Sequence, residues 1–423
     1  MMSLFVHATG CRWKMVQIMR RTSTHLCNGQ RIMTPRVLVL LAVLSLLAGY
    51  RAVGVWNVQN KNWMVIQDSS QLLSTMKPIP PYPFIKKPQG NNWTLWDGHS
   101  VLFDDFHFAP CRWVNYVVNP YYYRQRPTHS IKTTLQSIPI CIHPSPDIVS
   151  DNIANSGNWG DCSVLTEMWD IRQGINRETI LFGKRPQLVH IEVGANIGAC
   201  VLDLLLTTPE INIVAFEPNP INLFRLTSTL SKLFADHPEY RTRVQLFPIG
   251  LGTAAKAAKI YGSKTNLGHS TVGKTVTQNE GEQFTSAFPM YLERFDDLID
   301  SHHPHTDFAV MKLDAQGYEC NIMMAMSKML DKVKMVSFEF DTHLLNEFGC
   351  PPGQMWDDLV HHHNLQMYTR DFLLLPHNPI PANFTKPNLQ LDLLAVRTGM
   401  KLPMPRGTPL EEYMQQLRQR YKT

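Results

Sequence analysis

The chain has 423 residues, 44% of them hydrophobic, which is room for one large domain with appendages. Its formal charge of +5 is unevenly spread: residues 1–67 carry eight Lys or Arg and no acid, while the other 32 basic residues face 35 acidic ones. A body without a basic excess speaks against a nucleic-acid partner, and eight cysteines without C-x-x-C or Cys/His ligand spacing speak against a zinc site.

Residues 1–36 form a basic tail holding Arg12, Lys14, Arg20, Arg21, Arg31 and Arg36. Val37–Gly49 follows as thirteen uncharged, almost wholly apolar residues, prolonged past Arg51 by Ala52–Trp56. A bilayer core asks for about twenty apolar residues, and Arg51 can snorkel, so 37–56 reads as a transmembrane signal-anchor. The positive-inside rule keeps the tail in the cytoplasm. The body then lies in the lumen of the Golgi or endoplasmic reticulum, as in a single-pass type II membrane protein. A cleaved signal peptide starting at Met33, giving a secreted protein, or an organelle transit peptide fits the same residues. The sequons Asn92–Thr94 and Asn383–Thr385 suit lumenal exposure.

Residues 57–105 read as a stem, with the prolines of Lys77–Pro88 favouring extended polyproline conformation. Residues 106–160 are rich in Trp, Tyr, Pro and Asn without periodicity, an irregular preamble packing on the domain. The aromatics of Asn119–Pro127 suit either stacking on a sugar or filling a satellite core. An oxidising lumen favours a disulfide among Cys111, Cys141 and Cys162, whereas Cys200 and Cys320 fall on predicted helices and read as buried thiols. Within a domain spanning 161–400, strands are predicted at 188–193, 211–217, 244–249, 308–313, 334–340, 365–368 and 390–396. Helices are predicted at 197–207, 220–235, 318–330 and 353–363. Strands this continuously apolar are buried on both faces, which gives an α/β fold with a seven-stranded, mostly parallel sheet and helices on both sides. His302, His303, His305 and His361–His363 read as loop or cap residues rather than metal ligands. Residues 401–423 form a tail with a polar helix at Leu410–Tyr421.

The chemistry starts at His190–Ala199 (HIEVGANIGA), a strand, a tight glycine turn and a helix start, followed by Ile211–Pro220 (INIVAFEPNP), a second buried strand ending in Glu217. Together they form a nucleoside half-site. Gly194 and Gly198 clear space for a ligand near the backbone, and the helix start presents unpaired N–H groups. Asn196 stands where a dinucleotide site needs its second glycine. Glu192, two residues before the turn, repels a pyrophosphate yet suits an ammonium. A cofactor with a ribose, an ammonium and no phosphate is S-adenosyl-L-methionine. Glu217 suits its ribose, and Gly250, in the turn after the third strand, its adenine edge through the backbone. The cofactor-binding set is Glu192, Gly194, Asn196, Gly198, Glu217, Asn219 and Gly250.

The order GANIG, FEPNP, the DDL of Asp296–Leu298, the KLDAQGYE of Lys312–Glu319 and the SFEF of Ser337–Phe340 resembles the FkbM-type methyltransferases. The resemblance runs over residues 160–400 and departs at Gln316, where many members carry Glu. It implies a class I, Rossmann-like methyltransferase fold and O-methylation of a sugar, glycan or other hydroxyl-bearing acceptor. Methyl transfer needs an acceptor oxygen aligned and relieved of its proton. Asp314, after the fourth strand, is the first candidate base, and Glu339 and His343, after the fifth, are the next. The Gly/Ser/Thr-rich loop Lys264–Lys274 is placed to close over the acceptor, with His269 and Ser270 toward its hydroxyls. A catalytically inactive binding protein of the same fold is the alternative, motivated by Gln316. A nicotinamide dehydrogenase is disfavoured by Asn196, and a glycosyltransferase by the absence of a D-x-D motif.

Overall fold

The computed structural model describes residues 93–106, 108–118, 137–169, 187–209, 211–276, 282–298, 306–376, 380, 382–400 and 402, with short strands within 1–66. The chain divides into two units, Met1–Pro80 and Pro81–Thr423. In the first, β1 (Leu4–Phe5), β4 (Val53–Asn57) and β5 (Asn62–Ile66) form one antiparallel sheet, and β2 (His25–Cys27) pairs with β3 (Gln30–Ile32). Residues 37–52 of the expected anchor lie outside the described residues. Its last residues are in β4, a strand and not a helix. Among the described residues no helix is long and apolar enough to cross a membrane.

The second unit is organised on a seven-stranded sheet. Its strands are β8 (Gln187–Val193), β9 (Ile211–Phe216), β10 (Val244–Phe247), β15 (Thr306–Leu313), β16 (Met335–Asp341), β17 (Leu365–Thr369) and β18 (Gln390–Arg397). They lie in the order β10-β9-β8-β15-β16-β18-β17. All neighbours are parallel except β18, which runs antiparallel between β16 and β17. Sequence and structure agree on these seven strands within two residues at each end. Val189, Ile191, Val214 and Val336 on one face and Ile213, Ala215, Val310 and Met335 on the other feed two separate apolar cores. The chain leaves β8 outward to β9 and β10, then returns to β15 on the other side. The strand order thus reverses between β8 and β15, where α/β sheets place their ligands.

Helix Pro220–Asp236 shows how local sequence sets an element. Asn219 caps it by accepting from the Ile221 N–H at 2.9 Å, and Pro220 takes the first position, where no N–H is needed. Its Leu223, Leu226, Leu230 and Leu233 recur at helical spacing and are all buried. The predicted helix at 318–330 is two pieces, Glu319–Ala325 and Ser327–Leu330.

A second sheet comes from residues 250–293, where no strand was predicted: β11 (Gly250–Leu251), β12 (Lys256–Ser263), β13 (Ser270–Val272) and β14 (Phe284–Glu293), in the order β11-β14-β12-β13. Lys256–Lys259 is mostly exposed, so the apolar signal of a buried strand is missing there. The preamble is likewise not irregular. It contains the hairpin of β6 (Arg112–Val117) and β7 (Ser137–Ile142) and the helix Ile148–Ser156, capped by Asp147. Expected as stem, Trp93 and Trp96 are buried in the domain, and the Trp93 indole donates to Glu293 at 2.9 Å. Residues 119–127, the histidines at 302, 303 and 305 and the C-terminal helix fall outside the described residues.

Cys200 and Cys320 are not thiols. Cys162–Cys200 and Cys320–Cys350 are disulfides, as is Cys111–Cys141, with Cα atoms 4.8, 6.1 and 5.0 Å apart. Burial on helix starts suits either state. The partner cysteines approach only in the folded chain, which spacing does not reveal.

Candidate active site

The carboxyl ends of β8, β9, β15 and β16, the start of β18, the preamble helix and the loop between β12 and β13 enclose a cavity of about 510 Å³. Of the predicted residues, Gly194, Asn196, Glu217, Gly250, Asp314 and Glu339 line it. Glu192, Gly198, Asn219 and His343 do not.

The glycine turn is packed against its neighbours. Gly194 has φ +78°, and a Cβ on it would sit 1.8 Å from the Asp314 carbonyl oxygen, so only glycine lets the ends of β8 and β15 meet. Gly198, at φ +85°, is similarly pressed by Leu226. The turn's amides are already used, contrary to the expectation of unpaired groups there. Gly194 and Ala195 both donate to Phe216 O at 3.0 Å, and Asn196 donates to Glu217 Oε2 at 2.7 Å. Ile197 donates to the Asn196 side chain, and Gly198 to Ala195 O. No cradle of free N–H groups remains from Gly194 to Gly198 for a phosphate.

Glu217 sits at the tip of β9, almost fully buried, and burial pushes its carboxyl up to about 7 despite amide donors from Asn219 and Asn196. Behind it runs a polar relay. Arg225 Nε donates to His143 Nδ1 at 2.8 Å, His143 Nε2 is 2.9 Å from Asn222 Oδ1, and Asn222 Nδ2 is 3.5 Å from Glu217 Oε1. Arg is only a donor, so His143 Nδ1 accepts and its Nε2–H faces Asn222, leaving the Asn222 amide to donate to Glu217. Burial lowers His143 to about 4 and keeps it neutral in this chain.

Glu192 lies below the cavity. It is the register partner of Lys312, 3.8 Å from its Nζ, and accepts from His190 Nε2 at 2.7 Å. His190 Nδ1 in turn accepts from the Trp169 indole. The carboxylate therefore fixes Lys312. Asn219 joins the helix cap to β13 through Ser270 Oγ at 2.6 Å. His343 lies in the helix Thr342–Glu347, away from the cavity.

The KLDAQGYE segment makes the opposite wall. Burial raises Asp314, but the Lys312 ammonium at 2.9 Å and the Gln316 amide outweigh it and hold the carboxylate below its ordinary range. Burial also lowers Lys312, yet Asp314 and Glu192 raise it further, so the pair stays charged. Gln316, at φ +52°, sends its Nε2 to Asp314 Oδ1 and to Glu339 Oε2, both at 2.8 Å. Both amide hydrogens of Gln316 are thus spent bridging two carboxyl groups. Glu339 is pushed well above the usual carboxylate range by burial and by Asp314, and it also accepts from Gln390. Glu319 is buried under the loop and raised by burial to about 8, accepting from the Ala315 N–H at 2.7 Å.

Several groups were missed by the sequence reading. Asp161 and Asp392 line the cavity, both held by Arg370 at 2.8 and 3.0 Å. They come from separate segments with no shared motif, so no local signal marks them. His269 lines the cavity as expected, paired with a Glu282 that nothing in the sequence singled out. His361 and His362 pair with Asp357 and Asp358 of the same helical segment, and His363 pairs with Asp331. Among the described residues no cluster of His, Cys, Asp or Glu is arranged to hold a metal.

A parallel sheet reversing at β8/β15, one antiparallel strand inserted near its edge and a cavity over the reversal define a methyltransferase-like α/β fold. Residues 192–372 match the family model of the methyltransferase FkbM domain, so this part of the chain is similar to the FkbM methyltransferases. Solved structures similar to the chain include an FkbM methyltransferase from Methylobacillus flagellatus KT, 15% identical, covering 50% of this chain and 43% of that one at a TM-score of 0.28. A SAM-dependent O-methyltransferase from Thermotoga maritima is 12% identical over 60% of this chain and 72% of its own, with a TM-score of 0.26. The plantazolicin methyltransferase BpumL in complex with SAH is 9% identical over 59% and 88%, with a TM-score of 0.30. The chain spans less than half the length of the first of these. No curated protein matches it.

Proposed function

We propose that this domain binds S-adenosylmethionine and transfers its methyl group to a hydroxyl of a sugar or other polyhydroxylated acceptor. The observation that carries the reading is the acidic composition of the cavity wall. Asp161, Glu217, Asp314, Glu339 and Asp392 line it, with no Lys or Arg among the described lining residues. Such a wall suits a cationic ligand with hydroxyls and disfavours a phosphate-bearing one, and the used-up amides of the glycine turn point the same way. Glu217 would accept the ribose hydroxyls, and Phe216, Ile249 and the Gly250–Leu251 backbone would flank the adenine. Bound there, the cofactor supplies an electrophilic methyl group on a sulfonium. Asp161, Asp392 and the side-chain oxygen of Gln316 would accept from the hydroxyls of the second substrate. The carboxyl of Glu339, favoured in its protonated form, is a hydrogen-bond donor to that substrate rather than a base.

The compartment belongs to the same proposal: the domain lies in the Golgi or endoplasmic reticulum lumen, tethered through the apolar run Val37–Gly49. Three disulfides in the described residues support an oxidising surrounding. Calorimetric titration of the purified chain with S-adenosylhomocysteine tests the cofactor reading. Micromolar binding is expected, weakened ten- to hundredfold by Glu217→Ala, since hydrogen bonds to a charged group contribute about 1.5–3 kcal/mol. A folded wild-type chain that binds no S-adenosylhomocysteine sinks the reading.

A further inference from the structure

His269 stands in the segment between β12 and β13, and both of its ring nitrogens have defined surroundings. Nδ1 is 2.5 Å from Glu282 Oε1, with the two side chains only 1% and 3% exposed. The Phe284 ring closes its flank edge-on at 5.8 Å. A carboxylate accepts, so Nδ1 carries the proton and Nε2 presents its lone pair. Nε2 is buried without a hydrogen-bond partner, and of the described buried side-chain atoms in that condition it alone belongs to a residue lining the cavity. A buried polar atom left unpaired is uncommon in a folded protein and calls for a partner. Here the cavity is where that partner comes from.

Its position fits the reaction. A Cβ on the preceding Gly268 would lie 2.9 Å from the Asn196 side chain, and His269 and Asp314 line the same cavity. It therefore overlooks the junction of the β8 turn and the loop after β15. The other acidic candidates are committed elsewhere: Asp314 to Lys312 and Gln316, Glu339 to Gln316 and Gln390.

We propose that His269 is the general base of this site, oriented by Glu282, and that the acceptor is accordingly a neutral hydroxyl and not a carboxylate. The proposal rests on the methyltransferase reading above. Nε2 takes the hydroxyl proton while the oxygen lone pair forms the new bond to the methyl carbon. The carbon–sulfur electron pair stays on sulfur, giving the thioether, and the imidazolium passes its proton to water. A carboxylate acceptor has no proton to lose, and a base beside it would have no task. The acid-rich wall also repels one.

The test uses the full chain, labelled S-adenosylmethionine and a set of methyl hexosides, methyl deoxyhexosides, methyl N-acetylhexosaminides and, as carboxylate acceptors, hexuronic acids. His269→Gln should lower kcat at least a hundredfold, within the range general-base catalysis spans, with S-adenosylhomocysteine affinity and melting temperature within error of wild type. His269→Gly should regain activity with added imidazole. Nitrogen-15 spectra of the histidines should show the Nδ1–H tautomer at His269, lost in Glu282→Gln, a readout independent of turnover. Wild-type transfer with His269→Gln within threefold overturns the base while leaving the methyltransferase reading intact. Binding of S-adenosylhomocysteine with methyl esters as the only product, or with no transfer to any hydroxyl, overturns the hydroxyl acceptor. A folded chain without S-adenosylhomocysteine binding removes both readings together.

Discussion

On the proposed cofactor reading, Glu217 carries a charge state that ligand binding must change. Burial raises its carboxyl to about 7, against the ordinary 4.5. Between those values the folded chain holds a proton that the unfolded chain has lost, so this group's contribution to stability is full below about 4.5 and fades as pH rises through 7. Ribose hydroxyls donate to the ionised form, so binding below pH 7 must first expel the proton. Affinity for S-adenosylhomocysteine is therefore expected to rise about tenfold from pH 6 to pH 8 and then level off. Titrations of wild type and Glu217→Gln at both pH values check it: the variant should bind weakly with no such rise. An equal pH dependence in both would assign the effect to another group. Gln316 illustrates a different point at the same scale. Seen in sequence, it is a departure from the FkbM pattern. In the fold it is the amide that bridges Asp314 and Glu339, and a Glu there would add a third acid to the cluster.

At the scale of elements, what the sequence made legible is what long-range packing does not decide. The seven main strands announce themselves because each is buried on both faces and reads as an unbroken apolar run, as in β9 and β16. The glycine turn announces itself through Gly194 and Gly198. The second sheet stayed hidden because β12 and β14 alternate small, exposed and buried residues against one another. The ion pair of Glu192 with Lys312 was not legible because the two are adjacent only in the folded sheet. The turn itself makes a sharp prediction. A methyl on Gly194 meets the Asp314 carbonyl at 1.8 Å and must also adopt a φ of +78°. Gly194→Ala should therefore part the ends of β8 and β15, at a cost of about 3 kcal/mol or more. Thermal melts should show the loss of stability, and calorimetry the loss of cofactor affinity. A variant that melts within 1 °C of wild type would mean the two turns are not in contact.

For the whole molecule, two of the three disulfides tie segments that line the cavity to neighbouring parts of the domain. Cys200 is two residues past Gly198, and its bridge ties the cofactor turn to the segment that supplies Asp161. Cys320 follows Glu319, and its bridge ties the KLDAQGYE wall to the end of the loop after helix Thr342–Glu347. The closed loops span 30, 38 and 30 residues, and chain-entropy arguments give about 4 kcal/mol for each. That is comparable with the whole net stability of an ordinary domain. The chain is accordingly expected to fold in an oxidising compartment and to fail in a reducing one. Made under oxidising conditions, the cysteines at 111, 141, 162, 200, 320 and 350 should resist alkylation under denaturing, non-reducing conditions and appear as three linked peptide pairs. Reduction should lower the melting temperature by more than 10 °C and weaken S-adenosylhomocysteine binding, because two of the three bridges brace the cavity. Full alkylation of these six residues in chain recovered from its own cell would overturn the lumenal placement. Unaltered binding after reduction would show instead that the sheet alone holds the turn and the acidic wall in register.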